Sequence, residues 1–198
     1  MTAIIGMKQK DRIIIGADSI ATITIVKNAE EYLNNEYLSK VQRINGSPSC
    51  LIACAGSCSS ITTIQNIKNL LDKKDDVSFS YMVKNVVPKI FKECKARNLL
   101  VNKDDYSMLS IAIVIATKKH LYEITPIGVV IEIKNVICIG TGKNQLCNSY
   151  ISLKDSKKDI KEIVISCLKE TCEMAQGIGY PILIAENDIN KEMEIINR

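Results

Sequence analysis

The residues best suited to chemistry lie at the start of the chain. Two short apolar runs flank a polar centre there, which predicts a β-hairpin with its turn near Lys10 and Asp11. Removal of Met1, which a small following residue such as threonine normally permits, would make Thr2 the first residue of this hairpin. Its α-amine, which titrates near roughly 7.7–8.0, could then take the proton from its own hydroxyl and activate it as a nucleophile. Asp18 would end the second strand beside Thr2.

Other residues with chemical potential have simpler interpretations. Cys50, Cys54 and Cys58 recur every four residues, but the spacing is not a zinc pattern and no histidine lies nearby in sequence. We interpret them as core residues and predict no metal site. His120, the one histidine, follows two lysines and is interpreted as a surface residue. The N-terminal stretch, taken alone, would fit an ordinary hairpin equally well.

The order of the predicted elements indicates how the chain positions these residues. After the hairpin, strands are predicted over 19–26, 37–44, 51–55, 108–116, 120–125, 129–133, 180–185 and 191–196, and a further strand ends at the turn 140–142. Helices are predicted from 56 to about 71 and over 78–97, 143–153 and 156–176, and a loop or short helix over 27–35. These blocks predict an α+β fold, a four-layer αββα sandwich of two antiparallel sheets with a helix pair on each outer side.

Composition narrows the class of protein. With 198 residues, 46% hydrophobic and 24% charged, the chain is expected to form one globular domain over 1–198. A net charge of +4, scattered lysines and only two Phe leave nucleic-acid binding unsupported. The longest apolar stretch, 108–117, is too short to span a bilayer, and no signal peptide is visible. We therefore expect a cytoplasmic protein, away from membranes, with reduced cysteines.

A series of motifs runs through nearly the whole chain. They are Thr2 followed by Ala17-Asp18, a strand bearing Lys40, an Ala55-Gly56 turn, a hairpin with Leu121-Tyr122 and Pro126-Ile127-Gly128, and the turn Gly140-Thr141-Gly142. Their order and spacing resemble the proteasome β-subunit family of N-terminal-nucleophile hydrolases, nearest its bacterial HslV-type or other bacterial members. The resemblance implies the same four-layer fold.

The resemblance also implies roles for particular residues. Lys40 would lie beside Thr2, lower the pKa of its hydroxyl and favour a neutral amine, with Asp18 as the partner carboxylate. Lys27 is the alternative lysine. The N–H of Gly56 would point to the oxyanion of the reaction, or this glycine would only form a tight turn.

Three positions depart from the family pattern. Thr141, Glu173 and Gln176 stand where the family usually has Ser, Asp and Ser near the terminal amine. The interval from Asp18 to Lys40 is also longer than usual, and the acidic stretch 30–36 looks inserted.

What the resemblance implies is a threonine-type endopeptidase that needs no cofactor. It implies homo-oligomeric stacked rings acting on peptides or proteins, with an unfoldase ATPase as the candidate partner. The family alignment predicts an uncharged pocket for the residue before the cut, and hence cleavage after medium apolar residues; its members would be Ala21, Leu38, Gln42, Cys54 and Cys58. Two alternatives stay open: an amidase or acyltransferase for a small molecule, and a catalytically inactive ring subunit.

Overall fold

A computed structural model describes residues 1–27, 30–72, 77–103 and 105–198, with side chains outside 22–36. Its strands are β1 (Ile4–Gln9), β2 (Arg12–Asp18), β3 (Ile20–Lys27), β4 (Glu30–Tyr37), β5 (Val41–Ile44), β6 (Ser47–Gly56), β7 (Leu100–Lys103), β8 (Tyr106–Leu109), β9 (Ile111–Ala116), β10 (Leu121–Ile124), β11 (Val130–Ile133), β12 (Val136–Ile139), β13 (Ile182–Glu186) and β14 (Glu194–Ile196). Its helices are α1 (Cys58–Gln65), α2 (Phe79–Tyr81), α3 (Val87–Ala96), α4 (Lys143–Leu153) and α5 (Ile160–Met174), and a π-helical segment, Met82–Val86, joins α2 to α3.

Two five-stranded antiparallel sheets form the centre of the molecule. Their strand orders are β12-β1-β2-β13-β14 and β11-β10-β9-β6-β5, while β3-β4 and β7-β8 form separate two-stranded ribbons. Helices α4 and α5 pack on the first sheet, and α1 and α3 pack on the second. The predicted α+β sandwich with four layers is therefore confirmed. In the parts of the chain that are described, no helix is long and apolar enough to cross a membrane.

Alternation along the strands divides the core into three layers. In β1, Ile4 packs between the two sheets, whereas Ile5 packs with the residues of α5. In β6, Leu51 faces the opposite sheet, whereas Ile52 and Cys54 pack with α1 and α3. Successive side chains of a strand point to opposite faces, so a strand buried on both faces needs an unbroken apolar run.

The N-terminal hairpin forms as predicted. β1 pairs antiparallel with β2, Ile4 lies opposite Ala17, and the turn falls at Lys10 and Asp11. The backbone N–H of Asp18 donates to the carbonyl of Ala3 at 3.1 Å, which brings the end of β2 next to the start of β1. Helix α4 also has its predicted bounds.

Other predicted elements differ from the structure. The loop or short helix expected over 27–35 is wrong for residues 30–35, which belong to β4 and pair along β3; residues 28 and 29 lie outside the described part. The helix expected to reach residue 71 ends at Gln65. The strand expected over 108–116 is divided between β8 and β9. The helix expected over 78–97 changes to π geometry shortly before Pro88, whose ring cannot donate a hydrogen bond and clashes with the preceding turn.

A polar network ties β2 to its neighbours at the hairpin-turn end. The Arg12 guanidinium pairs with both carboxylate oxygens of Glu186, at 3.0 and 3.1 Å, and with Asp159. Lys191 also pairs with Glu186. The hydrogen bond from Arg12 lowers the pKa of Asp159. Burial opposes ionisation of Glu186, but the hydrogen bonds from Arg12 and Lys191 outweigh it and hold its pKa below the ordinary value.

Candidate active site

A cavity of about 640 Å³ opens at the end of the sandwich where Thr2 lies. The start of β1, the end of β6 and the turn after β12 all reach it, through Thr2, Gly56 and Gly140-Thr141. Its remaining walls are largely apolar; they include Ile20, Ala21, Leu38, Ala55, Ile61, Met108, Leu109, Ile111, Ala112 and Pro126.

Thr2 is held by both its main chain and its side chain. Its backbone N–H donates to the Thr141 hydroxyl at 3.0 Å, and its own hydroxyl donates to the Met1 carbonyl at 2.8 Å. The carbonyl of Thr2 accepts from the Thr141 hydroxyl at 3.3 Å and from the Gly142 N–H at 3.0 Å. Thr141 therefore contacts the nitrogen that removal of Met1 would turn into the α-amine.

Gly140 permits this close approach of the turn to Thr2. Its φ is +91°, in the region that favours glycine, and a Cβ there would lie 2.3 Å from the Thr2 carbonyl oxygen. Any larger residue would therefore push the Thr141 hydroxyl away from the Thr2 nitrogen.

Asp18 and Lys40 form a buried ion pair behind Thr2. The Lys40 ammonium lies 2.9 and 2.8 Å from the two Asp18 oxygens, and it also donates to the carbonyls of Ile20 at 2.7 Å and Met1 at 3.0 Å. Asp18 is 0% exposed and Lys40 1% exposed. The hydroxyl of Thr2 and the ammonium of Lys40 thus converge on the same oxygen, that of Met1.

Burial sets the electrostatics of this pair. It raises the pKa of Asp18 and lowers the pKa of Lys40, because removal from water penalises both charged forms. Each charge opposes the shift of the other, and the Ala3 N–H, at 2.8 Å, also stabilises the Asp18 carboxylate. A lysine with a lowered pKa, next to a hydroxyl, is typical of a site for proton transfer.

Gly56 ends β6 and lines the same cavity as Thr141. A Cβ on it would lie 2.3 Å from the carbonyl oxygen of Ser110, so the neighbouring strand allows only glycine. Helix α1 begins two residues later, and the Ser57 side chain caps it by accepting from the Ser60 N–H. The positive end of this helix therefore faces the cavity.

The structure separates the predicted substrate-contacting residues into two groups. Ala21, Leu38 and Cys58 line the cavity. Gln42 and Cys54 do not: Gln42 donates to the Gln65 carbonyl at 2.6 Å, and Cys54 is fully buried beneath the helices. Cys54 lies on the face of β6 that points away from the other sheet, and this explains its burial.

The end of α5 also differs from the predicted arrangement. Glu173 and Gln176 are exposed, and Glu173 lines a smaller, separate cavity with Tyr180 and Arg198. It is Cys172 whose charge would interact with Asp18 and Lys40; burial, and then the nearby Asp18 carboxylate, raise the pKa of its thiol to about 12. One helical step of 100° separates Cys172 from Glu173, so the two side chains point to different surroundings.

Sequence reasoning missed a cluster of hydroxyls at the cavity wall. The Ser60 hydroxyl lies 2.8 Å from that of Ser57 and 2.9 Å from that of Ser110. Ser57 and Ser60 come from the start of α1, and Ser110 from the break between β8 and β9. The break was not predicted, so no signal in the sequence brought Ser110 to this site. In the described part of the chain, His, Cys, Asp and Glu form no group of three that could hold a metal.

The fold and this site define a class, the N-terminal-nucleophile hydrolase fold of proteasome-type proteins. A family model described as "Proteasome subunit" matches residues 2–184. The chain therefore belongs to the proteasome subunit family.

Solved structures of three proteins show the same fold. BPH from Thiobacillus denitrificans has a TM-score of 0.72 at 15% identity, with 96% of this chain and 100% of that chain covered. The complex of that protein with epoxomicin has a TM-score of 0.70 at 14% identity, with the same coverage of both chains. Eukaryotic HslV from Trypanosoma brucei has a TM-score of 0.66 at 16% identity, with 93% of this chain and 98% of that chain covered. An Anbu (Gly-1) mutant from Hyphomicrobium sp. strain MC1 has a TM-score of 0.71 at 12% identity, with 99% of this chain and 87% of that chain covered. A search of curated proteins found no match.

Proposed function

We propose that this chain is a threonine-type endopeptidase whose nucleophile is Thr2. The observation that carries the proposal is the convergence of the Thr2 hydroxyl, the Lys40 ammonium and the Thr141 hydroxyl at one end of a cavity. An ordinary structural hairpin has no need of an ion pair buried behind its first residue, because burying two charges is costly.

The reaction requires that Met1 be removed. The Met1 carbonyl accepts hydrogen bonds from both the Thr2 hydroxyl and the Lys40 ammonium. The peptide bond between Met1 and Thr2 also makes the Thr2 nitrogen an amide, which is not basic. Removal of Met1 frees the amine, which keeps Thr141 as a hydrogen-bond partner. The three protons of Lys40 then match the three remaining acceptors, the two Asp18 oxygens and the Ile20 carbonyl.

The chemistry proceeds in two displacements. The α-amine takes the hydroxyl proton as the Thr2 oxygen bonds to the scissile carbonyl carbon, and the carbonyl oxygen becomes an oxyanion. Collapse breaks the peptide C–N bond, and the ammonium returns its proton to the leaving amine. A water molecule then attacks the ester carbonyl carbon and gives one proton to the amine. Collapse breaks the bond between that carbon and the Thr2 oxygen, which takes the proton back from the ammonium, and the carboxylic acid product is released.

Lys40 and Gly56 would stabilise charge during these steps. The Lys40 ammonium favours the deprotonated hydroxyl and keeps the neighbouring amine neutral. The Gly56 N–H, at the positive end of α1, is the proposed donor to the oxyanion. Removing one donor of this kind typically costs about 10²–10³ in kcat.

We propose peptides with a medium apolar residue before the cut as substrates. Ala21, Leu38 and Cys58 are uncharged and line the cavity. We further propose cytoplasmic stacked homo-oligomeric rings with an unfoldase ATPase partner, on the family resemblance alone.

Two N-terminal forms test the mechanism. One is the natural protein. The other carries an arginine inserted between Met1 and Thr2, and because a large residue then follows the initiator methionine, that methionine is not removed. Intact mass, size-exclusion chromatography, hydrolysis of a leucine peptide substrate and labelling by epoxomicin are measured on both. Epoxomicin is the probe because it was bound to the BPH of Thiobacillus denitrificans.

The expected result is a natural protein that begins at Thr2, hydrolyses the peptide and is labelled, and an arginine form that assembles in the same way but is inert. Loss of a general base typically costs about 10²–10⁴-fold in rate. Equal activity in the two forms would refute the mechanism. Inactivity of a natural protein correctly processed to Thr2 would favour an inactive ring subunit, and activity on small amides alone would favour an amidase.

A further inference from the structure

A groove on the outer helical layer, lined by other residues than the Thr2 cavity, is rich in positive charge. It has a volume of about 680 Å³ and lies between the end of α1 and the exposed side of α3. Among the residues that the structure describes, four cationic side chains line it, Lys68, Lys89, Lys92 and Arg97, together with a single carboxylate, Glu93.

Most of these cations are free to bind a ligand. Lys89 is engaged: its ammonium donates to the Asn69 carbonyl at 2.7 Å and pairs with Asp72 at 3.3 Å. Among the residues that the structure describes, no ion pair involves Lys68, Lys92 or Arg97. Helix α1 has no charged residue that could compensate them.

We propose that this groove binds an extended acidic segment of a partner protein. Lys68 follows the end of α1, whereas Lys92 lies in α3 and Arg97 caps its end, so carboxylates of a chain lying between the two helices would meet cations from both. The ten residues of α3 span about 15 Å, the length of about four or five extended residues.

The groove also offers hydrogen bonds to a peptide backbone. Asn66 lies in its wall, and its side-chain N–H donates to the Thr62 carbonyl at 2.8 Å. This bond fixes the amide so that its oxygen is left to accept from a peptide N–H. Ile67 and Pro88 supply an apolar floor for the stems of the bound residues.

A protein segment fits this groove better than a nucleic acid does. None of the described residues that line it is aromatic, so these residues offer bases no surface on which to stack. Glu93 would repel a backbone with a charge at every phosphate, whereas a peptide can place an uncharged residue opposite it. The proposal concerns a surface distinct from the Thr2 cavity and does not depend on the peptidase activity.

Fluorescence anisotropy with a labelled ten-residue peptide of alternating Glu and Gly tests the proposal. The groove variant is Lys68→Glu with Lys92→Glu. The matched control is Lys84→Glu with Lys95→Glu, which makes the same charge change at two exposed lysines outside the groove. Circular dichroism and thermal unfolding check that each variant folds. If the groove variant is unfolded, the single variant Lys92→Gln is compared instead with its control Lys95→Gln.

We expect at least a tenfold loss of affinity in the groove variant and less than twofold in the control at 100 mM salt, where the Debye length is about 10 Å. With the glutamine variants, a loss of threefold or more confined to Lys92→Gln is expected. Three results would overturn the proposal: no binding by the natural protein, equal losses in the two variants, or displacement of the peptide by a ten-nucleotide oligouridine that binds more tightly.

Discussion

Replacement of Lys40 by methionine separates the proposed catalytic role of the buried pair from its role in stability. Methionine keeps most of the volume of the lysine stem but removes the ammonium. The Asp18 carboxylate then stays at 0% exposure with the Ala3 N–H as its one remaining partner among the hydrogen bonds described. Peptidase activity should be lost, because the proposed mechanism needs this cation next to Thr2.

The cost in stability follows from the burial of the pair. Removing one partner of a buried ion pair typically costs about 3–5 kcal/mol, because an uncompensated charge remains. A domain of this kind is stable by about 5–15 kcal/mol, so Lys40→Met should still fold. The double variant Lys40→Met with Asp18→Asn removes the stranded charge and keeps an oxygen for the Ala3 N–H. It should recover about 2 kcal/mol of the lost stability while remaining inactive.

Acidification should relieve the same penalty. Without Lys40, burial holds the pKa of Asp18 above its ordinary value of 3.8, so the folded state binds a proton that the unfolded state releases. The free energy of unfolding of Lys40→Met should therefore fall as the pH rises from 3.8 to the raised pKa in the folded state. Its deficit against the natural protein should be smaller at pH 5 than at pH 8.

Urea unfolding at both pH values and a fixed protein concentration, with peptide hydrolysis alongside, provides the measurement. Lys27→Ala is the control for the alternative lysine and should leave activity intact. The reasoning fails if Lys40→Met is as stable as the natural protein, if Asp18→Asn brings no recovery, or if Lys40→Met retains activity while Lys27→Ala loses it.

Three further predictions concern residues around the site and the opposite end of the sheet. Thr141→Val should lower kcat at least about tenfold, because the Thr2 amine loses its acceptor, whereas Thr141→Ser should retain activity; steady-state kinetics on both would show whether the hydroxyl matters. Gly140→Ala should cost at least about 1–2 kcal/mol for the left-handed backbone alone, and an unchanged urea midpoint would contradict this. Arg12→Met should lose about 1 kcal/mol at pH 7. Since the pKa values of Glu186 and Asp159 are lowered from 4.5 and 3.8, this deficit should begin to shrink below those ordinary values and be lost as the pH falls through the lowered values of the folded state; unfolding at pH 7 and pH 2.5 tests it.

The fold was predictable where the local sequence pattern favours the same element that tertiary packing requires. The turn at Lys10 and Asp11 separates two apolar runs, and the bounds of α4 follow from the small-residue turn before it. β4 was missed because its acidic and amide residues have low strand propensity. Its pairing with β3, which is rich in β-branched residues, favours the strand conformation that its own composition does not.

The site was predictable to the extent that it depends on strand ends. Asp18 and Thr141 end a strand or follow one, and the two strands flank β1 in the first sheet, so the register of that sheet brings both to Thr2. The orientation of a side chain about a helix or strand is harder to predict. A shift of one position moved Cys172, in place of Glu173, towards the ion pair, and the face of β6 that bears Cys54 turned out to point into the helix-covered core.

The placement of β1 between β12 and β2 has a consequence for synthesis of the chain. The residues that hold Thr2 are distant in sequence: Thr141 and Gly142 lie near its nitrogen and carbonyl, and β13, which begins at Ile182, completes the pairing of β2. Translation at about 5–20 residues per second delivers them roughly 10–30 seconds after Asp18. The proposed nucleophile therefore lacks its assembled surroundings until synthesis has passed β13. Throughout that interval residues 1 and 2 remain open to the enzymes that trim methionine, and the proposed hydrolytic site forms only afterwards.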